Sequence, residues 1–210
     1  EPFALIAALR YARREKVPLI ITYHGDITAA VGGSLHYLAA VRFHNLVADK
    51  ALDCADAIIT PSEHLIDRSI LLPKYKSKVV VIPNGIDVEG FDVEYSKYEC
   101  RQKLGLPQSD NVFLFMAALH HGKGPDILVE AMPRVLDAYP QTQLVIAGDG
   151  VMREELQRLA AELGLEERAK FAGFISEEEV KARYFKAADI FVLPSIPNGE
   201  CFPGVTLEAM

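Results

Sequence analysis

The sequence predicts an α/β protein built from two doubly wound parallel sheets. Three observations carry that expectation. Short apolar runs alternate with helical patterns along the whole chain. Most runs are continuously apolar, as in strands covered on both faces, rather than alternating as in a half-exposed sheet. Midway, the turn signal Pro83-Asn84-Gly85 and a polar segment over 94–110 separate two series of such units.

The elements follow in order. The chain opens in a helical pattern with Phe3, Ile6 and Leu9 on one side and no strand before it. Strands are expected at 19–22, 57–60, 79–82, 111–117, 143–147, 169–174 and 189–193. Ser62, after Pro61, caps a helix over 63–72. A second-half helix opens at Pro125 and Asp126, with Ile127, Leu128, Ala131, Val135, Leu136 and Tyr139 inward. Pro133 removes one of its backbone hydrogen bonds and predicts a kink. Over 151–163, Met152, Leu156, Leu159, Ala160 and Leu163 share a face, and Gly164 occupies the left-handed stop. Ser176 and Glu179 have capping-box spacing for the next helix. Residues 205–210 read as the first turns of a helix without a body. Strand–helix repeats of this kind wind with right-handed crossovers. We place one partial domain at 1–92, a linker at 93–110, and a second domain at 111–210 that breaks off at its end.

Composition narrows the function. Half the residues are hydrophobic and 24% are charged, enough apolar side chain for buried cores. No run approaches the roughly 20 apolar residues of a membrane span. Cys54, Cys100 and Cys201 are isolated and odd in number, which argues against a disulfide framework or zinc knuckle and for a reducing, cytoplasmic setting. The net charge of −7 sits almost entirely after Asp92. Such a chain is a poor nucleic-acid binder, so an anionic ligand must be held by local groups. The basic run Arg10, Arg13, Arg14 and Lys16 beside Phe3, Ile6 and Leu9 reads first as a solvated helix face, and second as a peripheral contact with anionic lipid.

The chemistry concentrates at the end. Glu200-Cys201-Phe202-Pro203-Gly204-Val205-Thr206-Leu207-Glu208-Ala209-Met210 follows the last strand, so Glu200 falls on a loop at a strand's carboxyl end. Pro203 and Gly204 suit a helix opening, and Glu208 lies about one turn inside. A helix N-terminus offers unpaired N–H groups and partial positive charge to a phosphate. A nearby carboxylate accepts hydrogen bonds from sugar hydroxyls. Read alone, the two glutamates could equally be a cap and a solvated face. Gly148-Asp149-Gly150 lacks the third glycine of a dinucleotide fingerprint and reads as a tight strand-to-helix turn. His120 and His121 are adjacent, with no third ligand spaced nearby, so no metal site is expected. His24, at the end of the first strand, reads by itself as a histidine bonded to a loop carbonyl.

In order and spacing, these blocks resemble the family-4, group 1 glycosyltransferases. Two glutamates flank seven residues and Ala-Met follows. The likeness extends to Val81-Ile82-Pro83-Asn84-Gly85-Ile86-Asp87 and Leu144-Val145-Ile146-Ala147-Gly148-Asp149-Gly150, then to Phe171-Ala172-Gly173-Phe174 and Ala188-Asp189-Ile190-Phe191-Val192-Leu193-Pro194-Ser195. It implies a GT-B architecture of two Rossmann-like domains, both incomplete here. It also implies retaining transfer from a nucleotide-sugar donor to a glycan, lipid or small-molecule acceptor, without metal or other cofactor.

The resemblance assigns roles by position. Glu200 would bind donor-sugar hydroxyls, and His24 would reach the sugar from the first domain. Lys123, in His121-Gly122-Lys123-Gly124, would neutralise the diphosphate. Glu208 would bind the ribose, the Gly204, Val205 and Thr206 amides the diphosphate or sugar, and main-chain groups around Phe174 the base. The family's Gly-Arg-Leu is Ala117-Ala118-Leu119 here, so one arginine–phosphate contact is missing. His120 or His121 would have to replace it, or donor binding is weaker. Two alternatives therefore stand: a catalytically silent nucleotide-sugar-binding module, and a nucleotide-sugar epimerase of the same architecture.

Overall fold

A computed structural model describes residues 2–27, 34–91, 94–196 and 202–210. Contacts divide the chain into two units, Glu1–Asn84 and Gly85–Met210. The division falls inside Pro83-Asn84-Gly85, ahead of the boundary expected at Asp92.

Unit 1 carries three parallel strands in the order β1-β2-β3: β1 Ile20–Thr22, β2 Ala57–Thr60 and β3 Val79–Val81. Ile21 faces Ile58, and Ile59 faces Val80. Helix α1 (Pro2–Glu15) packs on α2 (Leu35–Cys54), and α3 (Glu63–Arg68) follows β2. The Ser62 hydroxyl accepts from the His64 N–H at 3.2 Å, as a cap should. Helix α3 then stops at Arg68, and a 3-10 segment, Leu72–Lys78, leads into β3. The core gathers Tyr23, Leu52, Ala55, Ile58, Leu72 and Tyr75. Ile20 and Val80 remain exposed, contrary to strands covered on both faces. They lie on the two edge strands, where only the face carrying Ile58 meets this core. On α1, Leu9 is buried and Phe3 exposed, while the Arg13 guanidinium donates to Cys54 Sγ at 3.1 Å. Among the described residues, no helix is long and apolar enough to cross a membrane.

Unit 2 is a four-stranded parallel sheet in the order β6-β5-β4-β7: β4 Asn111–Met116, β5 Thr142–Ala147, β6 Ala169–Gly173 and β7 Ile190–Phe191. The helices are α4 Lys97–Leu104, α5 Pro125–Ala138, α6 Arg153–Glu162, α7 Glu178–Ala187 and α8 Gly204–Glu208. Period-two alternation splits each central strand between two cores. Phe115, Leu144 and Ile146 pack with Val129, Met132 and Leu156 of α5 and α6. Leu114, Met116 and Val145 pack with Cys100 of α4 and Tyr184 of α7. Each such buried side chain contributes roughly 1.5–3 kcal/mol of transfer free energy. Helix α5 runs unbroken through Pro133, so the kink expected there does not divide it.

The segment read as a linker contains α4, which packs on α7. Its capping box is complete. The Ser96 hydroxyl accepts from the Glu99 N–H, and the Glu99 carboxylate accepts from the Ser96 N–H at 2.8 Å. The box expected at Ser176 and Glu179 does not form. The N-cap position of α7 falls to Glu177, one residue later, whose side chain makes no capping bond, and Ser176 is left outside the helix. Glu179 instead pairs with Arg183 one turn on.

Candidate active site

Strand order in unit 2 reverses beside β4, since chain order runs outward through β5 and β6 and then returns to β7. Open α/β sheets bind ligands at the strands' carboxyl ends beside such a reversal. The loop after β4 is held by short-range geometry. His120 Nδ1 accepts from the Gly122 N–H at 3.1 Å, so a neutral His120 carries its proton on Nε2. A 3-10 turn, His121–Lys123, follows. Gly124 then adopts φ 65° beneath the Pro194 carbonyl, where a Cβ would overlap that oxygen. The Ile196 N–H donates to Gly122 O at 3.2 Å, tying the β7 loop to the β4 loop.

The loop after β5 is the tight turn expected. Gly148 has φ 141° and lies against the Ala117 carbonyl, and its N–H donates to Gly173 O at 2.7 Å. Between these loops lies a cavity of about 560 Å³. Ala117, Ala118, Gly148 and Asp149 form its floor at the ends of β4 and β5. Phe174, Ile175 and Ser176 enter after β6, Glu178 and Lys181 from α7, and Val205 and Glu208 from α8.

The structure gathers some of the expected residues and not others. Glu208 and Val205 line the cavity, as does Phe174, which is largely exposed. The Glu208 side chain is 18% exposed and pairs with Lys181. Its Oε2 is buried and, despite the ion pair, accepts no aligned hydrogen bond. Gly204 opens α8 after Pro203, and the Thr206 N–H donates to Pro203 O at 3.1 Å, within the helix. Lys123 sits half-buried in the 3-10 turn, beyond the residues that line the cavity. Glu200 lies outside the described residues. Ala118 faces the cavity with no charge, as its identity requires. His121 Nδ1 lies 3.8 Å from Asp126 Oδ2, so this ring is drawn toward α5. Among the described residues, no group of three or more His, Cys, Asp or Glu is placed to hold a metal.

Sequence reasoning missed Asp149, Glu178 and Lys181 as lining groups. Glu178 and Lys181 lie three apart on α7 and so share a face. That spacing is the only signal in the sequence, and it is common on solvated helices.

In unit 1, His24 is exposed in the loop after β1. Its neighbours hold that loop. Asp26 Oδ1 accepts from Tyr23 Oη at 2.5 Å and Ser69 Oγ at 2.9 Å, and Oδ2 accepts from the Ile70 N–H at 2.8 Å. Burial first, and then the Asp26 hydrogen bond, push the Tyr23 phenol far above its ordinary range. Asp26→Ala leaves three donors without this acceptor and is expected to lower unfolding free energy by about 2–3 kcal/mol. Urea denaturation of the full-length protein measures it; a loss below about 0.5 kcal/mol would mean water replaces the carboxylate.

A parallel sheet whose strand order reverses beside β4, with a cavity at its strands' carboxyl ends, defines a Rossmann-like α/β domain. Residues 96–210 match the family model for glycosyl transferases group 1, and residues 1–89 match that for glycosyltransferase family 4. The chain belongs to the group 1, family 4 glycosyltransferases, of the GT-B fold class. It is 33% identical over 195 residues to the alpha-monoglucosyldiacylglycerol synthase of Streptococcus pneumoniae, spanning 88% of this chain and 42% of that protein. It is 30% identical over 209 residues to the O-antigen chain mannosyltransferase C of Escherichia coli, spanning 98% of this chain and 51% of that one. The chain thus covers about half the length of these relatives, or less. Among solved structures, Anabaena HepE in complex with UDP and glucose superposes with a TM-score of 0.76 at 25% identity, over 100% of this chain and 54% of that one.

Proposed function

We propose that the whole protein transfers a sugar from a nucleoside-diphosphate sugar to an acceptor, with retention of anomeric configuration. One observation carries the reading: Glu208, with Val205 of α8, lines a cavity at the carboxyl ends of β4, β5 and β6. Its carboxylate suits a ribose diol. Of the three α8 amides assigned by position, those of Gly204 and Val205 suit a diphosphate or the sugar beside it, whereas the Thr206 N–H is taken by Pro203 O. Lys123 meets the charge on the leaving diphosphate, a task a compact ammonium performs without metal. Main chain near Phe174 borders the base, and Glu200 and His24 are assigned to the sugar. Support for the donor class comes from relatives named as glycosyltransferases and from the UDP-glucose complex of HepE.

The test is a thermal-shift panel of UDP, GDP and ADP and their sugars on the full-length protein. A nucleotide at a hundred times its dissociation constant stabilises the fold by about 2.7 kcal/mol. One nucleotide is expected to raise the midpoint, and Glu208→Ala to abolish the rise. No shift with any of them would sink the reading. Ala118 favours a second one, a module that binds nucleotide sugars without turnover. Binding accompanied by neither transfer nor donor hydrolysis would select it.

A further inference from the structure

Lys181 stands outside the roles assigned above, yet it lines the same cavity. Its ammonium pairs with Glu208 across the α7–α8 boundary and lies 5.3 Å from the Phe91 ring centroid. Both partners are largely covered, with side chains 25% and 18% exposed. Phe91 is itself set edge-on against Phe185 of α7, 6.0 Å between centroids. The ammonium is therefore held by a carboxylate on one side and an aromatic face on the other, a pairing that favours a fixed cation. Glutamate loses rotamer freedom when it must present its carboxylate to two hydroxyls at once. A cation already seated against Glu208 Oε2 removes part of that cost before any ligand arrives.

We propose that Lys181 is the positioning residue for Glu208, setting its carboxylate so that the site prefers a ribose over a 2′-deoxyribose nucleoside diphosphate. This rests on the nucleotide-sugar reading above. The other charged groups among the described lining residues are Asp149 and Glu178, both acidic, so neither can substitute for the ammonium.

The experiment uses the full-length protein and whichever of UDP, GDP and ADP binds it most tightly, together with its 2′-deoxy counterpart. Titration calorimetry gives the ratio of the two dissociation constants. Lys181→Met is expected to shrink the preference for ribose by about tenfold, the size of one lost hydrogen bond to a charged group. Lys181→Arg should retain most of it. In a Glu208→Gln background, Lys181→Met should alter the ratio by less than about twofold, because coupled residues do not add. Ligand-free melting midpoints check that each variant is folded, and Lys181→Gln serves if the methionine variant is not. Equal weakening toward both nucleotides would make Lys181 a phosphate contact or a structural residue and overturn the proposal, as would an unchanged ratio. In both cases nucleotide binding by the wild type would leave the broader reading intact. A wild type that binds none of the three overturns both.

Discussion

Lys123→Ala is expected to lower turnover of the full-length protein by about 10²–10³-fold, the scale set by removing one preorganised group that meets developing charge. Lys123 sits in a 3-10 turn held by the His120 ring at one end and the Gly124–Pro194 contact at the other. On the proposed reading, a charge held in such a turn would need little reorganisation as negative charge grows on the leaving diphosphate. At the end of β4, Ala118 adds no cation, so the ammonium has less help than an arginine would give. Steady-state kinetics over a range of donor concentrations measure the effect. A fall in kcat with KM nearly constant is the expected signature of an interaction made in the transition state. A rise in KM at constant kcat would instead make Lys123 a ground-state phosphate contact and remove it from the catalytic assignments.

Arg101→Leu is expected to cost about 3–5 kcal/mol of unfolding free energy, because it takes the buried donor from three carbonyls and one of two cations from Asp189. Only 6% of the Arg101 side chain is exposed. Its Nε donates to Ala187 O at 3.0 Å, Nη1 to Gln108 O at 3.0 Å and Asp110 O at 3.1 Å, and Nη2 to Asp189 Oδ2 at 2.5 Å. Asp189 also pairs with Lys97 and accepts from the Val112 N–H at 2.7 Å. One knot thereby joins α4, the end of α7, the start of β4 and the approach to β7, the strands that meet where strand order reverses. Burial pushes the Asp189 carboxyl up, but the Lys97 hydrogen bond, the Val112 N–H and the Arg101 charge outweigh it and hold it below the ordinary range. A group depressed in the folded state stabilises fully above its unfolded value, about 3.9, and loses that contribution as pH falls through the folded value. The stability gap between wild type and Asp189→Asn should therefore be constant near neutrality and close in acid. Urea melts between pH 7 and 3 measure both effects, and a gap that widens in acid would refute the sign.

Much of this protein was legible before folding. Among the described residues, the seven strands lie within or beside the apolar runs that predicted them, although β1 and β3 keep one face exposed. The stripe of α6, the Ser62 cap and the turn at Gly148 were equally local matters. Glu208 and Val205 were found through a motif, and the sheet then placed them in a cavity.

Other features depend on residues far apart in the chain. Ser96-x-x-Glu99 and Ser176-x-x-Glu179 carry the same capping pattern, yet only the first forms a box. At the second, α7 begins after Glu177, and Glu179 turns to Arg183. Arg101 read as one more charge in a polar linker until the fold brought four oxygens around it. Lys181 was marked only by its three-residue spacing from Glu178, and meets Glu208 because α7 and α8 converge at one end of the sheet. The sequence by itself determined which segments become strands and helices, since periodicity and capping act over a few residues. The tertiary structure decided which charges are buried and paired, since those energies depend on partners that only packing brings together.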